Sequence, residues 1–308
     1  MLLCAYNIKE VNKLTGFFNG LATAIITPFD EKGVNLEEFG KMLDFQLEGG
    51  ADAVVVLGTT GEPATMTEEE KELTLSYAVK AINGRIKVIA GTGSNDTKKA
   101  VAWSVKAEKL GADGVLAVTP YYNKCTQRGI YEYYKAICDA VAIPVIAYNV
   151  PSRTGVNILP ETAEKLAAIP NMAGIKEASG NMAQALETMR RIRGKADLYS
   201  GEDFLNLPML AIGGAGLISV VSNIAPAPLK KMYTLVKQGR LKEANEVQDS
   251  LLPLIDACFV EVNPIPVKAA CNMIGFNAGL PRSPLTELEE GNRQKLLRAI
   301  KNSGIKTV

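Results

Sequence analysis

The chain contains no histidine. That absence removes Ser-His-Asp and Cys-His catalysis, histidine-ligated zinc, and any mechanism in which imidazole carries the proton. Acid–base work is left to Lys, Tyr, Asp, Glu, Cys and bound water. Cysteine is scarce too: Cys4, Cys125, Cys138, Cys258 and Cys271 are scattered, odd in number and include no CxxC pair. Reduced thiols in the cytoplasm are expected, not disulfides or a zinc site. Neither charge sign is in excess, with 34 Lys and Arg against 33 Asp and Glu, so nothing suggests nucleic acid or a membrane surface as a partner. No apolar run approaches the roughly 20 residues that span a bilayer. The opening MLLCAYNIKEVNK lacks a proper apolar segment and a small-residue cleavage site, so no secretion signal is expected.

What is present is apolar material, 47% of 308 residues, enough to bury a large core. It falls into short runs at 21–29, 51–58, 86–93, 112–120, 144–150, 172–178, 196–201 and 216–220, separated by longer amphipathic segments. Near-continuous Val/Ile/Leu/Ala runs suit parallel strands covered on both faces, and eight strand–helix units predict a closed TIM (β/α)8 barrel. Gly49-Gly50-Ala51-Asp52, Gly111-Ala112-Asp113-Gly114 and Gly213-Gly214-Ala215-Gly216 form a weak internal repeat at the helix-to-strand joints. A doubly wound open sheet also fits the alternation, but Gly58-Thr59-Thr60-Gly61 lacks the GxGxxG spacing of a dinucleotide site. After Val220 the pattern is helical, over about 227–238, 241–262, 266–274 and 285–301. The expected organisation is a barrel over 16–223 and C-terminal helices over 224–308. The latter comprise the last barrel helix and an appendage in which Asn263-Pro-Ile-Pro266 is a rigid joint.

Lys176 is the most informative residue. It sits at the end of a short apolar run bounded by Pro170-Asn171 and Ser179-Gly180. Burial there disfavours the ammonium and makes a nucleophilic amine available for a Schiff base with a carbonyl substrate. Snorkelling to the surface or pairing with Glu177 is the alternative. In a parallel barrel the active site is built from the loops after the strands. Those loops carry Gly58-Thr59-Thr60-Gly61-Glu62, Thr119-Pro120-Tyr121-Tyr122 and Tyr148-Asn149-Val150-Pro151-Ser152-Arg153-Thr154-Gly155. The first suits a carboxylate, tyrosines can relay protons where histidine is absent, and Arg153 offers a planar fork to a second carboxylate. Each also has an ordinary structural reading: a Gly-Thr turn, a strand-capping ring, a solvated arginine.

Taken in order, GTTGE at 58–62, TPYYN at 119–123, YNVPSRTG at 148–155, GIKEASGN at 174–181 and NPIPVK at 263–268 resemble the dihydrodipicolinate synthases. Their superfamily also holds N-acetylneuraminate lyase and keto-deoxy sugar acid aldolases. The resemblance runs from about Gly16 to the C-terminus. It implies a TIM barrel in which Lys176 forms the Schiff base with pyruvate and Tyr148 shuttles protons, linked through Thr59 or Thr60 to Tyr122. Thr59 and Thr60 would hold the pyruvate carboxylate, Arg153 the carboxylate of aspartate semialdehyde, and Gly201 and Ile218 would line the site through backbone groups.

The implied reaction is a class I aldolase-type condensation to 4-hydroxy-tetrahydrodipicolinate in lysine and diaminopimelate biosynthesis, with no cofactor and no metal. Tyr122 would reach a neighbouring subunit's site, implying a homo-oligomer, a tetramer or a dimer. The nearest rival is an aldolase for N-acetylneuraminate or a keto-deoxy sugar acid, which Arg153 disfavours because a sugar chain needs hydroxyl-binding groups there. A noncatalytic keto-acid-binding barrel is the rival of another class. In one respect the chain departs from lysine-inhibited relatives: Glu68, Lys71 and Lys99 stand where those place histidines and a glutamate, so insensitivity to lysine is expected.

Overall fold

The computed structural model describes residues 16–308. Cys4 and the stretch from Met1 to Lys13, read above for a secretion signal, lie outside the described residues. Eight strands coincide with the eight apolar runs: β1 (Gly20–Ala24), β2 (Ala53–Val56), β3 (Lys87–Gly91), β4 (Gly114–Val118), β5 (Val145–Asn149), β6 (Met172–Glu177), β7 (Asp197–Ser200) and β8 (Gly216–Ser219). All pair in parallel with their sequence neighbours, and β8 closes on β1, so the sheet is a TIM barrel. The first run is divided. Its end, Phe29–Asp30, pairs antiparallel with Gly33–Val34 in a separate hairpin, because Pro28 cannot donate to a ladder.

After the strands come α1 (Leu36–Glu48), α2 (Glu68–Ile82), α3 (Thr97–Lys109), α4 (Gln127–Ala140), α5 (Pro160–Leu166), α6 (Met182–Ile192), α7 (Asn206–Ala211) and α8 (Pro226–Lys237). Their starts are chemically marked. Asn35, Thr67, Asp96, Thr126 and Asn181 each accept a first-turn amide with the side chain, and Thr67 with Glu70 forms a capping box. The period-2 geometry of the strands divides the apolar residues into two layers. Val54, Val56, Val115, Ala117, Leu198 and Leu217 pack outward against the helices. Val55, Ile89, Leu116, Ile146, Tyr148 and Ile218 pack inside the barrel.

The Gly-Ala-Asp joints have a common physical role. Gly50 (φ 79°), Gly111 (φ 91°) and Gly213 (φ 104°) take the left-handed conformation that ends each helix. At two of the three joints an aspartate, Asp52 or Asp113, then accepts the amide of the second residue of the preceding strand, from Leu21 at 2.8 Å and Val88 at 2.9 Å. The repeat therefore stabilises the end of the barrel opposite the strands' C-termini.

The tail is helical: α9 (Leu241–Cys258), α10 (Ile265–Met273) and α11 (Glu290–Asn302). Two boundaries differ from the expected ranges. α9 stops at Cys258, four residues before the expected end. α11 starts at Glu290, not 285, since Leu285 is held in a turn on Arg282 and Glu261 caps the later start by accepting from the Glu289 amide at 3.0 Å. The expected joint at 263–266 also opens α10, with Pro266 in the first turn, where its missing N–H costs nothing.

Lys268 of α10 is completely buried and pairs with Glu62 of the Gly-Thr-Thr-Gly-Glu turn at 2.7 Å. Its ammonium lies 4.0 Å from the centre of the Phe29 ring. The other Glu62 oxygen accepts from the Arg282 amide at 2.8 Å, and Arg282 in turn grips Glu70 of α2. The appendage is thereby pinned to the turn after β2. Removing one partner of a buried pair strands the other charge, so Lys268→Met should cost about 3–5 kcal/mol, and Glu62→Gln added to it should return part of the loss. Denaturant titration of the three proteins checks this; equal midpoints for wild type and Lys268→Met would refute it.

Candidate active site

The central pair is set by strand register. β5 and β6 pair regularly except at one irregularity, where Val145 faces Met172 but the next residue, Ile146, faces Gly174. One extra residue in β6 reverses its facing. Met172 packs outward, whereas beyond the bulge Gly174 meets the inner Tyr199 ring, Ile175 packs outward and Lys176 turns inward. The same register places Tyr148 beside Lys176. The lysine Nζ lies 4.2 Å from the centre of the Tyr148 ring.

Lys176 is 4% exposed. Burial draws its ammonium down to about 8, with Arg153 acting in the same direction and Asp203 and Glu202 opposing. Tyr148 is pushed up to about 12, again chiefly by burial, so its hydroxyl keeps its proton at neutral pH. Glu177 does not pair with Lys176. It points to the other face, where it accepts from Asn149 Nδ2 at 3.0 Å and the Ser179 amide at 2.6 Å. Gly201 is required by the lysine's position: a Cβ there would lie 2.8 Å from Lys176 Cε and Cγ.

Around this pair opens a cavity of about 1150 Å³ at the C-terminal ends of the strands. Lys176, Tyr148, Thr59, Thr60, Arg153 and Gly201 all line it. The Thr59–Gly61 turn is a single 3-10 turn between two residues with positive φ, Leu57 at 60° and Glu62 at 57°. Such conformations are unfavourable for side chains with a Cβ, and persist where the surroundings enforce them. The first amides of the turn have no acceptor within it, which suits an incoming carboxylate. Arg153 follows β5 in the one-turn helix Pro151–Thr154, and its Nη2 donates to the Asn263 carbonyl at 3.1 Å.

Two sequence-predicted residues lie elsewhere. Tyr122 is 89% exposed, with φ 73°, and does not line this chain's cavity; its amide donates to Thr154 O at 3.4 Å. Ile218 is buried in the barrel's inner cluster with Tyr148 and is not part of the cavity wall.

Three residues not singled out in sequence belong to the site. Asn263 donates from Nδ2 to Thr60 Oγ1 at 3.0 Å and holds Arg153 through its carbonyl, so it ties together the two carboxylate-binding candidates. Glu62 fixes the threonine turn as described above. Glu202 follows Gly201 and faces the cavity. The signals were the NPIPVK and GTTGE strings for the first two, and only adjacency to Gly201 for the third. The cavity also extends to α2 and α3, where Glu68, Lys71, Lys99, Trp103 and Lys106 line it. Lys71 pairs with Glu68 and Lys106 with Glu72, each at 2.8 Å, while Lys99 has no carboxylate within 4 Å among the described residues.

Residues 17–303 match the model of the Dihydrodipicolinate synthetase family. The 4-hydroxy-tetrahydrodipicolinate synthase of Caldicellulosiruptor bescii is 51% identical over 289 residues, 94% of this chain and 98% of that protein. A dihydrodipicolinate synthase structure from Thermotoga maritima superposes with a TM-score of 0.93 at 44% identity, covering 94% of this chain and 100% of that one. A structure described as the first monomeric dihydrodipicolinate synthase variant gives the same TM-score, 0.93, at 44% identity over 94% of this chain and 98% of its own.

The desolvation of Lys176 leads to an expected pH dependence. Below its pKa the lysine is a non-nucleophilic ammonium; with that pKa at about 8, about a tenth is free amine at pH 7, far more than for an exposed lysine. Cyanoborohydride trapping with pyruvate should therefore accelerate as pH rises through about 8 and then level off. A rate that keeps climbing until near 10.5, the ordinary lysine value, would mean that Lys176 is not desolvated.

Proposed function

The chain belongs to the dihydrodipicolinate synthetase family, and from that premise we propose that it condenses pyruvate with L-aspartate 4-semialdehyde to 4-hydroxy-tetrahydrodipicolinate. It is a lyase of lysine and diaminopimelate biosynthesis. The observation that carries the reading is the buried Lys176 beside Tyr148 at the mouth of a barrel whose wall also holds Arg153.

Lys176 attacks the ketone carbon of pyruvate; loss of water leaves a protonated imine. The imine is an electron sink, so a methyl proton can leave to give the enamine, whose carbon then bonds to the aldehyde carbon of the second substrate. The new alkoxide takes up a proton. The amino group of the second substrate, once it has lost its ammonium proton, adds to the imine carbon; a proton passes from the new C–N nitrogen to Lys176 Nζ, whose bond to that carbon breaks, releasing the free lysine and the ring. Tyr148, held protonated by burial, is the proton carrier at the imine. Thr59 and Thr60 bind the pyruvate carboxylate and Arg153 that of the semialdehyde, while Gly201 leaves room for the lysine. Ile218 supports Tyr148 from within the barrel.

Tyr122 acts in the site of a second copy, so the working enzyme is a homo-oligomer. A nearly fully exposed aromatic residue at positive φ supports this, since neither feature is favourable in an isolated chain. The four described cysteines are free, which supports a reducing compartment, the cytoplasm.

With pyruvate and borohydride, inactivation should add mass to one peptide, the one bearing Lys176; labelling of another lysine would overturn the assignment. Arg153→Ala should still trap pyruvate but lose about one to two decades in kcat/KM for the semialdehyde, the cost of one charge-assisted carboxylate contact. An unchanged specificity constant would remove Arg153 from the reading.

A third expected outcome concerns lysine. Bound lysine presents two cations, and Lys99 is a fixed ammonium with no carboxylate beside it among the described residues. Like charges about 4 Å apart at an effective dielectric near 20 repel by roughly 4 kcal/mol before relaxation. Millimolar lysine should leave initial rates unchanged at subsaturating pyruvate; half-inhibition below about a millimolar would show that the charge at Lys99 is not decisive.

A further inference from the structure

L-Aspartate semialdehyde is a zwitterion at its α-carbon, so a site that grips only its carboxylate leaves an ammonium to be desolvated without a partner. That is a costly arrangement in a closed cavity. Four carboxylates line this cavity, and three are committed. Glu62 is paired with Lys268 at 2.7 Å, Glu68 with Lys71 at 2.8 Å, and Glu72 with Lys106 at 2.8 Å. The fourth is Glu202. No basic side chain pairs with it within 4 Å among the described residues.

The neighbouring Asp203 cannot fill this role. Buried away from the cavity wall, it is saturated by Asn206 Nδ2, Ser219 Oγ and the amides of Val220 and Val221, at 2.5–3.0 Å.

Glu202 is also correctly placed. It lines the same cavity as Lys176, Tyr148 and Arg153, so a carboxylate and a guanidinium face one space. An α-carbon that carries both a carboxylate and an ammonium needs one group of each charge within its reach. Gly201-Glu202 leaves β7 directly over the lysine, with the Gly201 amide fixed to Glu177 O at 2.8 Å and the Glu202 carbonyl accepting from Ser200 Oγ at 3.0 Å.

We propose that the Glu202 carboxylate binds the α-ammonium group of the second substrate and thereby selects an amino-acid aldehyde over aldehydes that lack the amine. This rests on the assignment of aspartate semialdehyde as second substrate.

The test compares wild type, Glu202→Gln and Glu202→Asp using two ligands: aspartate semialdehyde as substrate, and succinate semialdehyde, the same chain without the amine, as inhibitor. Glu202→Gln should raise KM for aspartate semialdehyde about tenfold or more, the scale of one charge-assisted contact. Its Ki for succinate semialdehyde and its rate of pyruvate trapping at Lys176 should stay within about twofold of wild type. Glu202→Asp, which keeps the charge, should lie between. A parallel rise in KM and Ki, or an unmoved KM, overturns the proposal, as does a Glu202→Asp protein no better than Glu202→Gln. Loss of trapping in Glu202→Gln also overturns it, because the residue would then serve the lysine and not the second substrate. A wild-type enzyme that traps pyruvate but does not use aspartate semialdehyde overturns the underlying assignment instead.

Discussion

The site depends on one extra residue in β6. Without the irregularity after Met172, the alternation of a parallel strand would carry Lys176 to the outer face with Met172, among the helices and without a cavity in front of it. With it, the amine enters the barrel opposite Tyr148, and burial, the factor that lowers its pKa, comes from the interior it enters. The lysine's desolvation is thus a consequence of register. Asp203 and Glu202 pull the other way and Arg153 only partly counters them, so desolvation is the factor that prevails.

Around that pair the fold separates stability from chemistry along the strand axis. Asp52 and Asp113, which tie strands to their predecessors, lie at the strands' N-terminal end. The C-terminal end carries unfavourable features instead: two side-chain-bearing residues at positive φ around the threonine turn, a desolvated lysine, and a carboxylate and an arginine facing the same space. These are held from outside the barrel. Lys268 and the Arg282 amide fix Glu62, and Asn263 joins Thr60 to Arg153. The appendage is therefore a scaffold for the site's second wall, which explains why residues more than a hundred positions apart meet there.

Much of this was legible in the chain. The absence of histidine left lysine and tyrosine as the carriers of chemistry, and eight apolar runs at regular spacing gave eight parallel strands because strands covered on both faces need no polar alternation. The helix-to-strand joints were readable from glycines that only a left-handed turn requires. Lys176 stood out because an ammonium in an apolar run is expensive whatever the fold. Boundaries were less legible where capping came from distant groups, as at α11, whose start depends on Glu261.

What the sequence by itself determined were the local choices: strand or helix, turn or cap, and which residue types could do the chemistry. Those follow from interactions among near neighbours in the chain. Which residues share a cavity was decided only by tertiary structure. Whether Lys176 faced inward hinged on a single-residue slip that leaves no mark in composition or periodicity, and the commitment of Glu62 depended on Lys268, 206 positions away. Glu202 became distinctive only once every other acid in the cavity had found its cation. Tyr122, conspicuous in sequence, stayed outside this chain's cavity. Pairing and register are sums over distant contacts, and no window of neighbouring residues contains them.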